Sequence, residues 1–199
     1  MNLLCTRCFS GFFLTLCFPV LLFADPGKGY LITLDGHKLT GQVHDILFSA
    51  WQTRLRFEND FGDVYAIHPA TIYGFVFEND GHFHYYESKF LGGTWAFLEV
   101  EKRGEALSLY RNPRRKLRVR KNDGEPYITQ KKASETWLQF NGKRPFRIYR
   151  LGYKKILRQN LSEYPELADL IGQKGYRFRD LPRIVELYNE WAGRLEKRL

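Results

Sequence analysis

Residues 53–62 read Thr-Arg-Leu-Arg-Phe-Glu-Asn-Asp-Phe-Gly: Leu55 and Phe57 alternate with Arg54, Arg56 and Glu58, and the run ends in Asn59-Asp60-Phe61-Gly62. A period of two that stops at a turn-forming cluster is a half-buried strand entering a hairpin. The pattern recurs outward in both directions. Phe83 and Tyr85 oppose His82, His84 and Tyr86, while Leu107 and Leu109 oppose Ser108 and Tyr110. Turn signals stand at Asp35-Gly36, Asn79-Asp80-Gly81, Arg103-Gly104, Asp123-Gly124 and Asn141-Gly142, where Asp-Gly and Asn-Gly supply the positive φ angles of tight hairpins. These features predict pairs of short antiparallel strands from about Gly29 to about Leu151. The expected result is a hairpin meander forming an open curled sheet or a partial barrel.

Past that sheet the period lengthens. From Asp180, an N-cap residue with Pro182 in the first turn, apolar side chains fall at Leu181, Ile184, Val185, Tyr188, Trp191 and Leu195, one stripe of an amphipathic helix. Tyr153, Ile156, Leu157 and Leu161 mark a shorter helix, and Pro165 opens another through Leu167, Leu170 and Ile171 up to Gly172. Short helices are marginal alone, so these are expected to pack on the sheet; a membrane-surface or self-association role is the alternative for the last one. The fold class is therefore α+β, mainly β, with a small C-terminal helical cap. The expected organisation is residues 25–151 as an antiparallel β-rich domain and 152–199 as a helical region packed on it.

Residues 1–24 read differently from the rest. Arg7 precedes an apolar run from Phe9 to Phe23, and Ala24 stands before Asp25-Pro26-Gly27. That is the layout of a secretory signal peptide cut between Ala24 and Asp25. The 15-residue run falls short of the ~20 needed to cross a bilayer, so the mature chain is expected to have no transmembrane span. An uncleaved anchor and lipidation at Cys17 are the alternatives. All three cysteines (Cys5, Cys8 and Cys17) lie in this stretch, leaving a mature chain with no thiolate zinc site, disulfide or cysteine nucleophile. A thiol-free chain suits an oxidising compartment, and the protein is expected to be exported: periplasmic, in the outer envelope or secreted.

Charge divides the mature chain. Asp25 to Tyr110 holds 7 Lys/Arg against 12 Asp/Glu, and Arg111 to Leu199 holds 23 against 10. The halves attract each other or the basic half meets an anionic partner. The segments GYLITLDGHKLTGQV (29–43), AIHPATIYGFVFEN (66–79) and LSEYPELADLIGQKGYRFRDLPRIVELYNEW (161–191) resemble a group of exported proteins of unknown function common in Bacteroidota. The resemblance spans most of the mature chain and rests on structural motifs. It implies a compartment and a lineage and assigns no catalytic residue. Relatives carry cysteines near the last helix that this sequence lacks, so it implies no staple there.

The chain contains no G-x-S-x-G elbow, H-E-x-x-H helix, P-loop or dinucleotide glycine fingerprint, and no cofactor is expected. His82-Phe83-His84 is the one metal-like pattern, because residues two apart on a strand share a face. Asp80 and Glu87 are the nearest oxygen ligands, and His37, His44 and His68 join only if the fold brings them over. A polar, solvent-facing pair is the competing reading, and no metal is expected. The strongest signal is Arg111 to Lys121, in which seven of eleven residues are cationic. Arg114, Arg115, Lys116, Arg118, Arg120 and Lys121 are the anion-binding candidates. On a strand, Lys116, Arg118 and Arg120 repeat every ~7 Å, a spacing suited to sulfate or phosphate groups held by Arg forks. Export argues against nucleic acid, so the expected partner is an anionic polysaccharide, lipopolysaccharide or an anionic lipid surface. Cross-strand pairing with Glu99, Glu101 and Glu105 is the competing account. The sequence thus points to a non-enzymatic exported binding or structural module with a basic face. An exported hydrolase, acting on polysaccharide or peptide through a carboxylate pair or the His-x-His site, is the alternative.

Overall fold

The computed structural model describes residues 27–48, 53–79, 81–122 and 125–197, with the backbone alone described at 47–48, 113–122, 125–133 and 196. Residues 1–24, with the Ala24–Asp25 junction, and the Asp80 and Asp123-Gly124 turn positions lie outside the described residues. The strands are β1 (Gly27–Ile32), β2 (Lys38–Phe48), β3 (Thr53–Asn59), β4 (Val64–Ile67), β5 (Gly74–Asn79), β6 (His82–Phe90), β7 (Trp95–Lys102), β8 (Leu107–Asn122), β9 (Glu125–Phe140) and β10 (Phe146–Ile148). Helices α1 (Tyr153–Asn160), α2 (Pro165–Leu170) and α3 (Leu181–Glu196) follow. All ten strands form one open antiparallel sheet in the order β10-β9-β8-β7-β6-β5-β1-β2-β3-β4. The fold is the antiparallel, mainly β architecture with a C-terminal helical cap that the alternation and turns predict.

Hairpin chemistry explains the local turns. At Asn141-Gly142 between β9 and β10 both residues have positive φ (38° and 65°), the conformation that a two-residue turn needs to match strand twist. The connection from β4 to β5 is different, because β5 pairs with β1 rather than with β4. Ile67 is level with Leu55 and Ile46, whereas Gly74 is level with Ile32 and Lys38. Lys38 and Ile46 are about 26 Å apart along β2, and four strand spacings add about 19 Å sideways. In a flat sheet the ends would be roughly 32 Å apart, beyond the roughly 25 Å reach of seven Cα steps. The sheet must curl, and β3 does meet β7 across its inside. Gly29 and Gly41 stand opposite each other on β1 and β2. A Cβ on the first would fall on the Val76 carbonyl oxygen, and one on the second on that of Glu58. Only glycine fits where neighbouring strands close this tightly.

The curl encloses one core: Leu31, Val43, Leu55, Phe57, Ile72, Phe75, Tyr86 and Phe97. Phe75 stacks on Tyr86 at 4.7 Å and meets Phe97 edge-on at 5.0 Å. On β6 the inward side is that of His84 and Tyr86, while Phe83 and Tyr85 are exposed. The alternation is as the sequence indicates, but register with Phe75 and Phe77 decides which set faces the core. A second core joins Leu107, Leu109, Leu138, Phe140 and Ile148 to the helices through Leu157, Leu161, Leu167, Ile171, Leu181, Ile184, Val185 and Tyr188. The α3 stripe therefore packs on the sheet. Asn189 fastens it: Oδ1 accepts from the Ala106 and Leu107 backbone amides at 3.1 and 3.0 Å, and Nδ2 donates to the Leu107 and Val185 carbonyls. Asp180 precedes α3 but its carboxylate accepts from the Arg177 amide at 2.9 Å, so it closes the preceding 3-10 turn instead of capping α3. No helix among the described residues is long and apolar enough to cross a membrane.

Candidate functional site

Between the two cores the middle of the sheet is charged on both faces. Residues directly opposite across a ladder share a face, and the series Tyr86, Glu99, Arg111 runs from β6 through β7 to β8. Glu99 is buried. Its Oε2 accepts from Arg111 Nε at 3.1 Å and Nη2 at 2.9 Å, and its Oε1 lies 3.0 Å from His84 Nδ1. Glu101 adds a second carboxylate 3.5 Å from Arg111 Nε. Burial opposes the Arg111 charge, but Glu99 and Glu101 outweigh it and push the guanidinium pKa up. Burial and the adjacent Glu99 likewise raise the Tyr86 phenol far above its usual range.

The opposite face carries Glu87, also buried. Lys89 Nζ lies 2.8 Å from its Oε2, Arg103 bonds its Oε1, and the Tyr110 hydroxyl donates to it at 2.8 Å. Burial alone would raise the Glu87 pKa, yet these partners more than offset it and hold the carboxyl below its ordinary value. Tyr110, buried against that charge, is raised instead. Glu87 and Glu99 thus sit on opposite faces, each neutralised by cations, and do not form a carboxylate pair across one cleft.

His82 and His84 share a face as the strand spacing requires. His82 is exposed at the start of β6, while His84 is half buried, stacked 5.1 Å from Phe77 and bonded to Glu99. Glu87, suggested by sequence proximity as a further ligand, turns to the other face. His44 pairs with Glu58 at 2.7 Å, His37 lies by Asp35 at 3.4 Å, and His68 Nδ1 accepts from the Ala70 amide. The five histidines are therefore distributed rather than gathered. Among the described residues no group of three or more His, Cys, Asp or Glu is placed to hold a metal ion.

The basic run occupies β8. Its pairing with β7 ends at Arg111 opposite Glu99, and the pairing of β10 with β9 ends at Ile148 opposite Thr136. Beyond those points β8 and β9 continue together from Asn112↔Glu135 to Asn122↔Glu125, a two-stranded ribbon about 35 Å long by strand rise. Pro113 and Pro126 lie in this ribbon, where outer edges without a neighbouring strand tolerate residues that lack an N–H.

Register separates the candidate cations from the acids suggested to neutralise them. Arg114 faces Ala133, Arg115 faces Lys132, Lys116 faces Lys131, Arg118 faces Thr129, Arg120 faces Tyr127 and Lys121 faces Pro126. Arg111, at the start of the basic run, reaches Glu99 and Glu101, and Glu105 lies exposed in the loop after β7. Residues 112–135 hold eight Lys/Arg against three Asp/Glu; Glu125 ends the described ladder and Glu135 pairs with Arg147 at 2.8 Å. Lys131 and Lys132 belong to this cationic ribbon as well. Sequence reading passed over them, although the Asp123-Gly124 turn already implied that the strand after it returns alongside the first. Comparison with protein families, with characterised proteins and with solved structures finds no match to this chain.

Proposed function

We propose that the protein is an exported, non-enzymatic binding module of the cell envelope that holds an anionic polymer or surface on its β8–β9 ribbon. The observation that carries this reading is the register: six cations of β8 stand opposite neutral or cationic residues of β9. No acid of β9 stands directly opposite any of the six, and like charges placed opposite, as at Arg115–Lys132 and Lys116–Lys131, are destabilising unless an anion lies between them. Arg114, Arg115, Lys116, Arg118, Arg120 and Lys121, joined by Lys131 and Lys132, are the contact residues. The leader-like residues 1–24 and the resemblance to exported proteins support an extracytoplasmic partner such as an acidic polysaccharide, lipopolysaccharide or anionic lipid.

Retention on heparin tests the reading. The variant with Arg115, Lys116, Arg118 and Arg120 replaced by Ser elutes at lower salt than the parent, because counterion-driven binding weakens with each lost cation. Equal elution of a variant with unchanged circular dichroism refutes the assignment of the ribbon. N-terminal sequencing of the exported protein tests the compartment: it begins at Asp25, and a product retaining Met1 in the cytosol overturns the choice of partner.

A further inference from the structure

We infer that the anion met by the ribbon is a lipid headgroup layer, with the ribbon lying in the membrane interface; this rests on the anion-binding reading above. Strand period and register sort the ribbon positions into two sets. One comprises positions 114, 116, 118 and 120 with partners 133, 131, 129 and 127, and holds Arg114, Lys116, Arg118, Arg120 and Lys131. The other comprises 115, 117, 119 and 121 with partners 132, 130, 128 and 126. It has Leu117, Val119, Ile128 and Pro126 at its centre, Val119 directly opposite Ile128, and Arg115, Lys132 and Lys121 around them. The pairings with β7 and β10 both end before this quartet, so among the described residues no further strand pairs with the ribbon there.

A soluble anionic polymer calls only for the cationic set. A cluster of aliphatic residues rimmed by cations matches a different surface, in which acyl chains lie just beneath a layer of phosphates. An amphipathic element gains there both from apolar burial at the headgroup boundary and from attraction to anionic lipid. Positions 115, 121 and 132 put cations in the same set as the aliphatic residues, and the cationic set, on the other face of the ribbon, remains within a Debye length of the charged surface.

The test uses the full chain with two probes: heparin, and vesicles of phosphatidylglycerol and phosphatidylcholine in equal parts, with pure phosphatidylcholine vesicles for reference. The variant Leu117→Ser, Val119→Ser, Ile128→Ser should lose about tenfold or more of its affinity for the mixed vesicles, from the apolar burial removed, while its heparin elution is unchanged. Val119→Trp, which keeps an apolar residue at that position, should show a blue shift of the added indole emission on mixed vesicles and none on heparin. A triple variant that binds mixed vesicles as the parent does, or an indole that stays water-exposed on them, overturns the lipid assignment and leaves the ribbon as a polysaccharide face. Loss of neither heparin nor vesicle binding in the four-cation variant overturns the underlying reading instead.

Discussion

Glu87 offers the sharpest test of how the middle of the sheet is held together. Its side chain is 4% exposed, Lys89 is 15% exposed and Arg103 is 58% exposed. The Lys89 bond is therefore made almost out of water, and the Arg103 bond is largely screened. A net hydrogen bond to a charged group is worth about 1.5–3 kcal/mol, whereas a solvent-exposed pair adds little. Glu87→Gln keeps the shape and an acceptor for the Tyr110 hydroxyl but leaves Lys89 without its counter-charge. The expected loss is about 2 kcal/mol at neutral pH, or roughly 4–8 °C in Tm for a chain of this size. The sign of the pH dependence follows from the depressed carboxyl. The native state binds this proton less readily than the unfolded chain, whose carboxyl has the ordinary value of 4.5. The stabilisation is present above that pH and is lost as pH falls through the folded value. Urea unfolding of parent and variant should then show a gap that is full at neutral pH and closes on acidification below about 4.5. A second variant, Glu87→Leu with Lys89→Met, should recover most of the loss, since an apolar pair of similar volume often replaces a buried ion pair without penalty. A Glu87→Gln protein that melts within about 1 °C of the parent, or a gap that does not change with pH, would refute the account.

Two further outcomes follow from packing. Gly41→Ala places a Cβ on the Glu58 carbonyl and should cost ~2 kcal/mol as β3 is pushed away, whereas Gly193→Ala, in α3 with open space around it, should stabilise by ~0.8 kcal/mol; thermal melts check that the same substitution changes sign. Asn189→Ala removes three hydrogen bonds that tie α3 to Ala106 and Leu107 at the start of β8, and a fourth within the helix to the Val185 carbonyl. It should destabilise by about 2–4 kcal/mol, with amide exchange at Ala106 and Leu107 accelerating beyond that of β5.

What could be read before any coordinates is what a window of ten or twenty residues encodes. Alternation at Leu55 and Phe57, positive-φ turns such as Asn141-Gly142, and the stripe from Leu181 to Tyr188 each specify a local geometry that tertiary packing then uses. The cationic run was visible for the same reason, since its residues are adjacent. Tertiary structure alone decided the insertion of β1 between β5 and β2, the curl that Gly29 and Gly41 permit, and the inward turn of His84 and Tyr86 rather than Phe83 and Tyr85. It also decided which acid meets which base. Glu99 and Glu101 looked able to neutralise the whole basic run, but the β7–β8 pairing stops at Arg111, and the register sets the remaining cations opposite residues of β9. Such facts depend on register between segments far apart in the chain, and a shift of one residue would turn every side chain of a strand to the other face. No local pattern contains that information; it is settled when the strands close over the two cores.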